Sequence, residues 1–83
     1  MTKYFAVHLA NENFRVNSIS PGGIYNSDKP QSKDFIAAYS KRNPLGRMAN
    51  EKEIIGGIYY LASNASSYVT GHNLVIDGGM SCW

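Results

Sequence analysis

Two short apolar segments that lie far apart in the sequence set the strongest limit on how this chain can fold. Residues 14–20 (FRVNSIS) and residues 73–77 (NLVID) each have the length and the residue types of a β-strand. The long segment between them carries helical patterns, which excludes a hairpin and indicates a crossover connection. We therefore expect the two strands to be parallel and to belong to one β-α-β unit.

The clearest helix in the crossover spans residues 51–62. Asn50 followed by Glu53 predicts a capping box, because the glutamate side chain can reach back to the backbone of the cap residue. Gly56 and Gly57 inside this helix each cost about 1 kcal/mol relative to alanine, which predicts that another element packs closely against them. Apolar residues recur at helical spacing along one side: Ile54, Ile55, Ile58, Leu61 and Ala62.

Two further helices are predicted, one on either side of the first strand. Ser32 is a candidate N-cap for a short helix that stops near Asn43-Pro44, since the residue before a proline is pushed away from helical angles. Apolar residues within positions 1–9 follow the spacing of one helix face. The asparagines within positions 11–13 suit the left-handed residue that often ends a helix.

The expected sheet is too small to be stable without additional strands. The chain has 83 residues, which allows one domain at most. Parallel sheets are normally buried on both faces and built from several strands, whereas two strands alone leave both edges unpaired. The sequence therefore predicts an α/β unit that is incomplete on its own and is shaped to dock onto more sheet.

Composition excludes several classes of function. The single Cys82 cannot form an internal disulfide, and with the distant His8 and His72 it makes no recognisable metal-binding spacing. The net charge is only +2 and the basic residues are scattered, so nucleic-acid binding is not predicted. No apolar run is long enough to span a membrane, and the first residues lack a signal-peptide pattern. We expect a cytoplasmic protein.

The first strand ends abruptly at Pro21-Gly22-Gly23. Proline cannot donate a hydrogen bond to a β-ladder, and glycine lets the backbone approach another group closely. Such a break suits contact with a ligand, although a Pro-Gly-Gly turn after a strand is also a common way to reverse the chain. The motif is not a dinucleotide fingerprint, which needs Gly-x-Gly-x-x-Gly between a strand and a helix.

Several segments in order, RVNSISPGGI, NPLGRM, YLASNASSYVTG and LVIDGG, resemble the C-terminal part of short-chain dehydrogenases/reductases over nearly the whole chain. The resemblance implies the C-terminal β-α-β portion of a Rossmann-type doubly wound parallel sheet. Residues 1–83 would then be a single partial domain. Residues at about 25–44 would form the lid over the substrate.

The same resemblance implies a cofactor, NAD or NADP, and a set of residues that contact it. Pro21, Gly22 and Gly23 correspond to the segment that passes the nicotinamide ring, and the main chain of Ile24 is the expected partner of the carboxamide. The family usually has a threonine two residues later, whose hydroxyl helps to hold the cofactor. Here that position is Asn26, an amide that can both donate and accept hydrogen bonds.

The resemblance also implies catalytic residues that this chain does not contain. The family uses a Tyr and a Lys four residues apart on one helix, where the lysine lowers the pKa of the tyrosine. Tyr25 and Lys29 have this spacing, but they directly follow Pro-Gly-Gly and Lys29 precedes Pro30, so they are not expected on a helix. We therefore assign no catalytic and no metal-binding residue, and we expect the catalytic pair upstream of Met1.

The leading functional hypothesis is the C-terminal segment of an NAD(P)-dependent oxidoreductase that transfers hydride between nicotinamide and a carbonyl or alcohol. Alone, it is expected to be inactive. Polar lid residues favour a polar or sugar-like small-molecule substrate, and the helix 51–62 and strand 73–77 are expected to form a homo-oligomer interface. Two alternatives stay open: a non-catalytic oligomerisation module, and the remnant of a split gene. The polar lid residues are Asn26, Ser27, Asp28, Gln31 and Lys33.

Overall fold

The computed structural model describes residues 1–83 as three α-helices and a two-stranded sheet. In chain order the main elements are α1 (Thr2–Leu9), β1 (Ser18–Pro21), α2 (Lys33–Arg42), α3 (Glu51–Ala62) and β2 (Asn73–Ile76). Three short 3-10 helices complete the secondary structure, at Ala10–Glu12, Asn64–Ser66 and Met80–Cys82. None of the helices is both long and apolar enough to cross a bilayer.

β1 and β2 are parallel neighbours, which confirms the expected β-α-β unit. Ser18 pairs with Asn73 and Pro21 pairs with Ile76, and α2 and α3 lie in the crossover between the strands. Parallel pairing places the carboxyl ends of both strands at the same edge of the sheet. The Pro-Gly-Gly turn and the glycines that follow β2 therefore lie side by side.

The boundaries of β1 differ from the prediction at both ends. The strand begins at Ser18 rather than at residue 14, because Val16 bonds to a loop instead: its N–H donates to Thr70 Oγ1 and its carbonyl accepts from Gly71. At the other end Pro21 belongs to the strand. Its missing N–H does not interrupt the ladder, since the N–H of Gly22 donates to the Ile76 carbonyl at 2.8 Å.

α3 begins with the predicted capping box. The Asn50 side chain accepts a hydrogen bond from the Glu53 N–H, and the Glu53 side chain accepts one from the Asn50 N–H. The expected close neighbour exists at Gly57, where a β-carbon would lie 2.5 Å from Ile76 Cδ1 of β2. The same expectation is wrong for Gly56, which faces open space.

The guanidinium group of Arg15 ties the segment before β1 to the end of α3. It donates to the carbonyl oxygens of Leu61, Ser63 and Val69 and to Ser66 Oγ, at 3.1 to 3.3 Å. The last carbonyls of a helix have no partner within the helix, so a cation that bonds to them there is favourable. The Ser66 side chain below the guanidinium is 1% exposed and is among the few buried groups of the molecule.

The fold buries very little apolar surface. Ala6 and Met48 are the only buried hydrophobic residues, and the radius of gyration of 15.5 Å exceeds the value of about 12 Å that a compact domain of this length would have. Fifteen large apolar side chains are exposed; they are spread over all three α-helices, β2 and the connecting segments. Exposed apolar surface on this scale is typical of a surface that another structural element covers.

Replacing the two glycines of α3 separately should have different effects on stability. Gly56→Ala is expected to raise the free energy of unfolding by about 0.5–1 kcal/mol, because alanine favours the helix and its methyl group meets no neighbour. Gly57→Ala should be about 1 kcal/mol less stable than Gly56→Ala, since its methyl group crowds Ile76 and Leu74. Urea unfolding followed by circular dichroism measures both; equal stabilisation would contradict the packing of α3 on β2.

Candidate functional site

The Pro-Gly-Gly turn approaches a side chain of α2 and the end of β2. A β-carbon at Gly23 would lie 2.7 Å from Tyr39 Cζ, and one at Gly22 would lie 2.9 Å from the Cα of Asp77. The N–H of Gly23 donates to Tyr39 Oη at 2.7 Å. Both glycines are therefore required by close packing within the molecule, whether or not a ligand approaches the opposite side of the turn.

The residues after the turn run beside the segment that leads into α3. Ile24 and Ala49 form an isolated parallel bridge, in which Tyr25 donates to the Ala49 carbonyl and Ala49 donates to the Gly23 carbonyl. These bonds leave the N–H of Ile24 without a hydrogen-bond partner. The carbonyl oxygen of Ile24 accepts one bond, from Gln31 Nε2 at 2.8 Å.

The Asn26 side chain organises the start of residues 25–44, the predicted lid. Its Oδ1 accepts hydrogen bonds from the N–H groups of Asp28 at 3.0 Å and Lys29 at 3.2 Å, which is an Asx turn. Only the Nδ2 amide group remains available to another molecule. The segment has no helical structure before Lys33, so Tyr25 and Lys29 do not share a helix face, as predicted.

Asn43 locks the end of α2 onto the end of β2. Its side chain is 4% exposed, Nδ2 donates to the Asp77 carbonyl at 2.9 Å, and Oδ1 accepts from the Leu45 N–H at 2.9 Å. Gly78 has a φ of +65°, and a β-carbon there would lie 2.6 Å from Asn43 Oδ1. The NPLG motif (residues 43–46) and the DGG motif (residues 77–79) therefore pack against each other. The sequence predicts Asn43 only as a helix end, because its partner is distant in the chain.

Asp77 shapes the turn after β2. One carboxylate oxygen accepts from the N–H of Gly79 at 2.9 Å and the other from the N–H of Ser81 at 3.0 Å. Hydrogen bonding with Ser81 is the largest cause that lowers the pKa of the Asp77 carboxyl, and backbone N–H groups of residues 79–81 add to it. A carboxylate stabilised in its ionised form suits a turn and is a poor proton donor.

Arg47 and Glu53 form a two-pronged ion pair beside the site. The distances are 2.7 Å from Nη1 to Oε1 and 2.8 Å from Nη2 to Oε2, and the Asn50 N–H also donates to Oε1. The hydrogen bond from Arg47, followed by that from Asn50, lowers the pKa of Glu53 to about 2. This pair fixes the connector between α2 and α3.

Only part of this region suits a nicotinamide group. The cavity between the Pro-Gly-Gly turn, Tyr39 and Asn43 has about 90 Å³, well below the roughly 300 Å³ or more of a ligand pocket. The loop itself has the right chemistry. A free N–H and a carbonyl on Ile24, with the Asn26 amide nearby, match the acceptor oxygen and the N–H donors of a carboxamide. Their role as cofactor contacts stays a prediction.

Comparison with known proteins places the chain in a family. The sequence model of the family described as enoyl-(acyl carrier protein) reductase, which belongs to the short-chain dehydrogenases/reductases, matches residues 1–81. The chain is a member of the short-chain dehydrogenase/reductase family. The resemblance inferred from the sequence motifs is therefore confirmed at the level of the family, as is the Rossmann-like α/β fold class.

Relatives within the family include sugar-alcohol and acyl-group enzymes. The D-arabinitol 2-dehydrogenase (ribulose-forming) of Scheffersomyces stipitis is 44% identical over the whole chain. The 3-oxoacyl-(acyl-carrier-protein) reductase of Thermotoga maritima is 45% identical over 96% of the chain. This short-chain dehydrogenase/reductase sequence spans only 32% and 33% of the lengths of those two proteins.

A solved structure agrees closely with the described fold. The short-chain dehydrogenase from Leptospira borgpetersenii serovar Hardjo-bovis, with bound NAD+, matches with a TM-score of 0.87 and 51% identity. The match covers 96% of this chain and 30% of the Leptospira chain. The local arrangement of helices and strands is thus one that a complete member of the family contains.

The ion pair of Arg47 and Glu53 should make stability depend on pH at acid values. The pKa of Glu53 is lowered from 4.5 to about 2, so its contribution is complete above pH 4.5 and is lost as the pH falls towards 2. The difference in urea midpoint between the wild type and Glu53→Gln should therefore shrink steadily across that range. Glu51→Gln, at a carboxylate without an ion pair, is the control. A difference that persists unchanged to pH 2 would contradict this assignment.

Removing the hydroxyl of Tyr39 should loosen the Pro-Gly-Gly turn without removing the ring that packs on it. Tyr39→Phe is expected to cost about 1 kcal/mol of unfolding free energy, because the Gly23 N–H loses its acceptor. Amide exchange at Gly23, followed by NMR, should become faster than in the wild type. Tyr60→Phe is the matched control, since the Tyr60 hydroxyl makes no hydrogen bond; equal exchange at Gly23 in all three proteins would refute the contact.

Proposed function

We propose that residues 1–83 form the C-terminal part of an NAD(P)-dependent oxidoreductase that transfers hydride between nicotinamide and a carbonyl or alcohol. In this proposal the segment is a single partial domain that supplies a nicotinamide contact, a lid at about residues 25–44 and a subunit interface. It is inactive alone. The observation that carries the proposal is the loop after β1, where the main chain of Ile24 offers an unpaired N–H beside its carbonyl.

The nicotinamide contact would use the main chain more than side chains. The carboxamide oxygen would accept from the Ile24 N–H, its NH₂ group would donate to the Ile24 carbonyl, and Asn26 Nδ2 would take the place of the usual threonine hydroxyl. Pro21, Gly22 and Gly23 set the path of the backbone towards these groups. Each hydrogen bond contributes only about 0.5–1.5 kcal/mol, so the loop requires the rest of the enzyme to bind a dinucleotide tightly.

The composition of the proposed lid favours a polar substrate. Residues 26–30 are exposed and carry Asn, Ser, Asp and Lys side chains, whereas the far end of α2 is fixed by Tyr39 and Asn43. A segment fixed at one end and exposed at the other can close over a bound molecule and exclude water from it. Together with the sugar-alcohol enzyme among the relatives, this favours a polyol or sugar-like substrate.

The exposed apolar face of α3 supports a subunit interface. Ile58 is 52% exposed and Tyr59 is 72% exposed, and Val75 on β2 is 46% exposed. Covering such side chains contributes about 25 cal/mol per Å² of buried apolar area. We propose that helix 51–62 and strand 73–77 pair with a second copy of the protein.

The bound nicotinamide would supply the hydride chemistry, and this chain's residues would orient the ring and enclose the substrate. Neither Tyr25 nor any other tyrosine of the chain forms a helical pair with a lysine. The proton-transferring residues are therefore proposed to lie outside these 83 residues. Because the chain has no such Tyr-Lys pair, a second candidate function stays open. This is a non-catalytic module that associates through the apolar face of α3.

An exchange of segments between proteins tests the oxidoreductase role. Residues 1–83 would replace the matching segment of the S. stipitis D-arabinitol 2-dehydrogenase, to which they are 44% identical. We expect the chimera to oxidise D-arabinitol with NAD(P)+ and the 83-residue chain alone to be inactive. In the chimera, Asn26→Asp should weaken binding of the reduced cofactor about fivefold by removing the Nδ2 donor, and Asn26→Thr should bind normally.

The outcomes separate the candidates. A folded chimera without activity would contradict the oxidoreductase role, and self-association of the 83-residue chain in sedimentation experiments would then favour the interaction module. An active chimera in which Asn26→Asp binds cofactor normally would contradict the contact at Asn26. Activity of the isolated chain would refute the proposal that its catalytic residues lie elsewhere.

A further inference from the structure

The Gln31 side chain joins the beginning of the lid to the loop after β1. Nε2 donates to the Ile24 carbonyl at 2.8 Å, and Oε1 accepts from the Asn26 N–H at 3.4 Å. The residue is half-buried, although its neighbours on both sides are exposed. Within residues 27–32 it is the only residue whose hydrogen bonds reach the backbone of Ile24. Its amide therefore helps to hold this stretch of the lid in place, together with the Asx turn of Asn26.

The Gln31 side chain carries the same functional group as nicotinamide. A glutamine ends in a primary carboxamide, with one acceptor oxygen and two N–H donors. The proposed cofactor contact needs the carbonyl of Ile24 as the acceptor for a carboxamide NH₂ group. Gln31 already makes that bond and leaves the Ile24 N–H free. The Gln31 amide and the nicotinamide carboxamide would thus donate to the same oxygen, that of the Ile24 carbonyl.

We propose that Gln31 is an internal competitor for the nicotinamide carboxamide, an inference that rests on the proposed function. Binding of the cofactor displaces the Gln31 amide from the Ile24 carbonyl. Residues 27–32 are attached to the loop by Gln31 and by the bonds of Asn26 Oδ1 to the N–H groups of Asp28 and Lys29, so displacement of Gln31 removes one of two attachments and loosens the beginning of the lid. Cofactor binding and lid movement are then coupled through a single side chain.

The other end of the lid defines how far the movement extends. Tyr39 Oη accepts from the Gly23 N–H, and Asn43 is bonded to the Asp77 carbonyl. Neither contact involves the groups that the carboxamide would take. The release therefore affects the stretch before α2, while the C-terminal half of that helix stays docked on the ends of both strands.

If Gln31 competes with the cofactor, removing it changes the affinity for the cofactor in the opposite direction from the change that a purely structural role would give. If Gln31 only held the loop in shape, its removal would weaken cofactor binding. As a competitor, its removal should strengthen binding of a carboxamide by about threefold to tenfold, the factor that one lost hydrogen bond represents. Gln31→Met is the appropriate variant, since methionine keeps the length and apolar stem but has no donor for Ile24.

The test is an NMR titration of the chimera with the S. stipitis enzyme, labelled with ¹⁵N, with free nicotinamide as the probe and nicotinic acid as the control ligand. In the wild type, the Gln31 side-chain NH₂ signals should move to the positions of a solvent-exposed amide as the Ile24 N–H signal shifts. Gln31→Met should bind nicotinamide threefold to tenfold more tightly. Ser27→Ala, at an exposed lid residue without a side-chain hydrogen bond, should behave as the wild type.

Each other outcome overturns a defined part of the inference. If the Ile24 N–H responds to nicotinamide but Gln31→Met binds no more tightly, the competition is refuted and the proposed contact survives. Competition is also refuted if the Gln31 signals stay unchanged in the wild type, which means that the carbonyl accepts both amides. If nicotinic acid displaces Gln31 equally well, carboxamide recognition is refuted. If the Ile24 N–H responds in no protein, the nicotinamide contact itself fails.

Discussion

The parallel pairing of β1 with β2 is the constraint on which the remaining structure depends. It brings two turns that are distant in sequence to one edge of the sheet, and the C-terminal part of α2 is then attached to both of them. Tyr39 packs on the first turn and Asn43 on the second, so the position of α2 follows from the register of the strands. A shift of one residue in that register would separate both anchors from their partners.

The local elements were predictable because their signals lie close together in the sequence. The capping box at Asn50, the cap at Ser32 and the turn formed by Asp77 each depend on residues within four positions of one another. The parallel arrangement of the strands also followed from the length of the crossover. The family was identified from the order of its motifs, and this was confirmed.

Features that depend on distant residues were not predictable from the sequence. Nothing in the segment around Arg15 indicates that its guanidinium bonds to the end of α3, and nothing near Asn43 indicates that Gly78 is its partner. The predicted start of β1 at residue 14 is too early, because the Phe14 N–H bonds to the end of α1 and Val16 and Asn17 bond to the loop at residues 69–71. The glycines at positions 22 and 23 were linked to ligand approach, whereas the tyrosine that packs on them could not be foreseen.

The bonds of Arg15 have a consequence for how the protein is made. Its acceptors, from Leu61 to Val69, lie 46 to 54 residues further along the chain. A ribosome therefore releases β1 and its preceding segment long before their partners exist, at a synthesis rate of roughly 5–20 residues per second. Contacts between such distant residues also form slowly once the chain is complete. During this interval of several seconds the Arg15 guanidinium has no acceptors, and β1 stays unpaired for longer still, until Asn73–Ile76 of β2 have been synthesised.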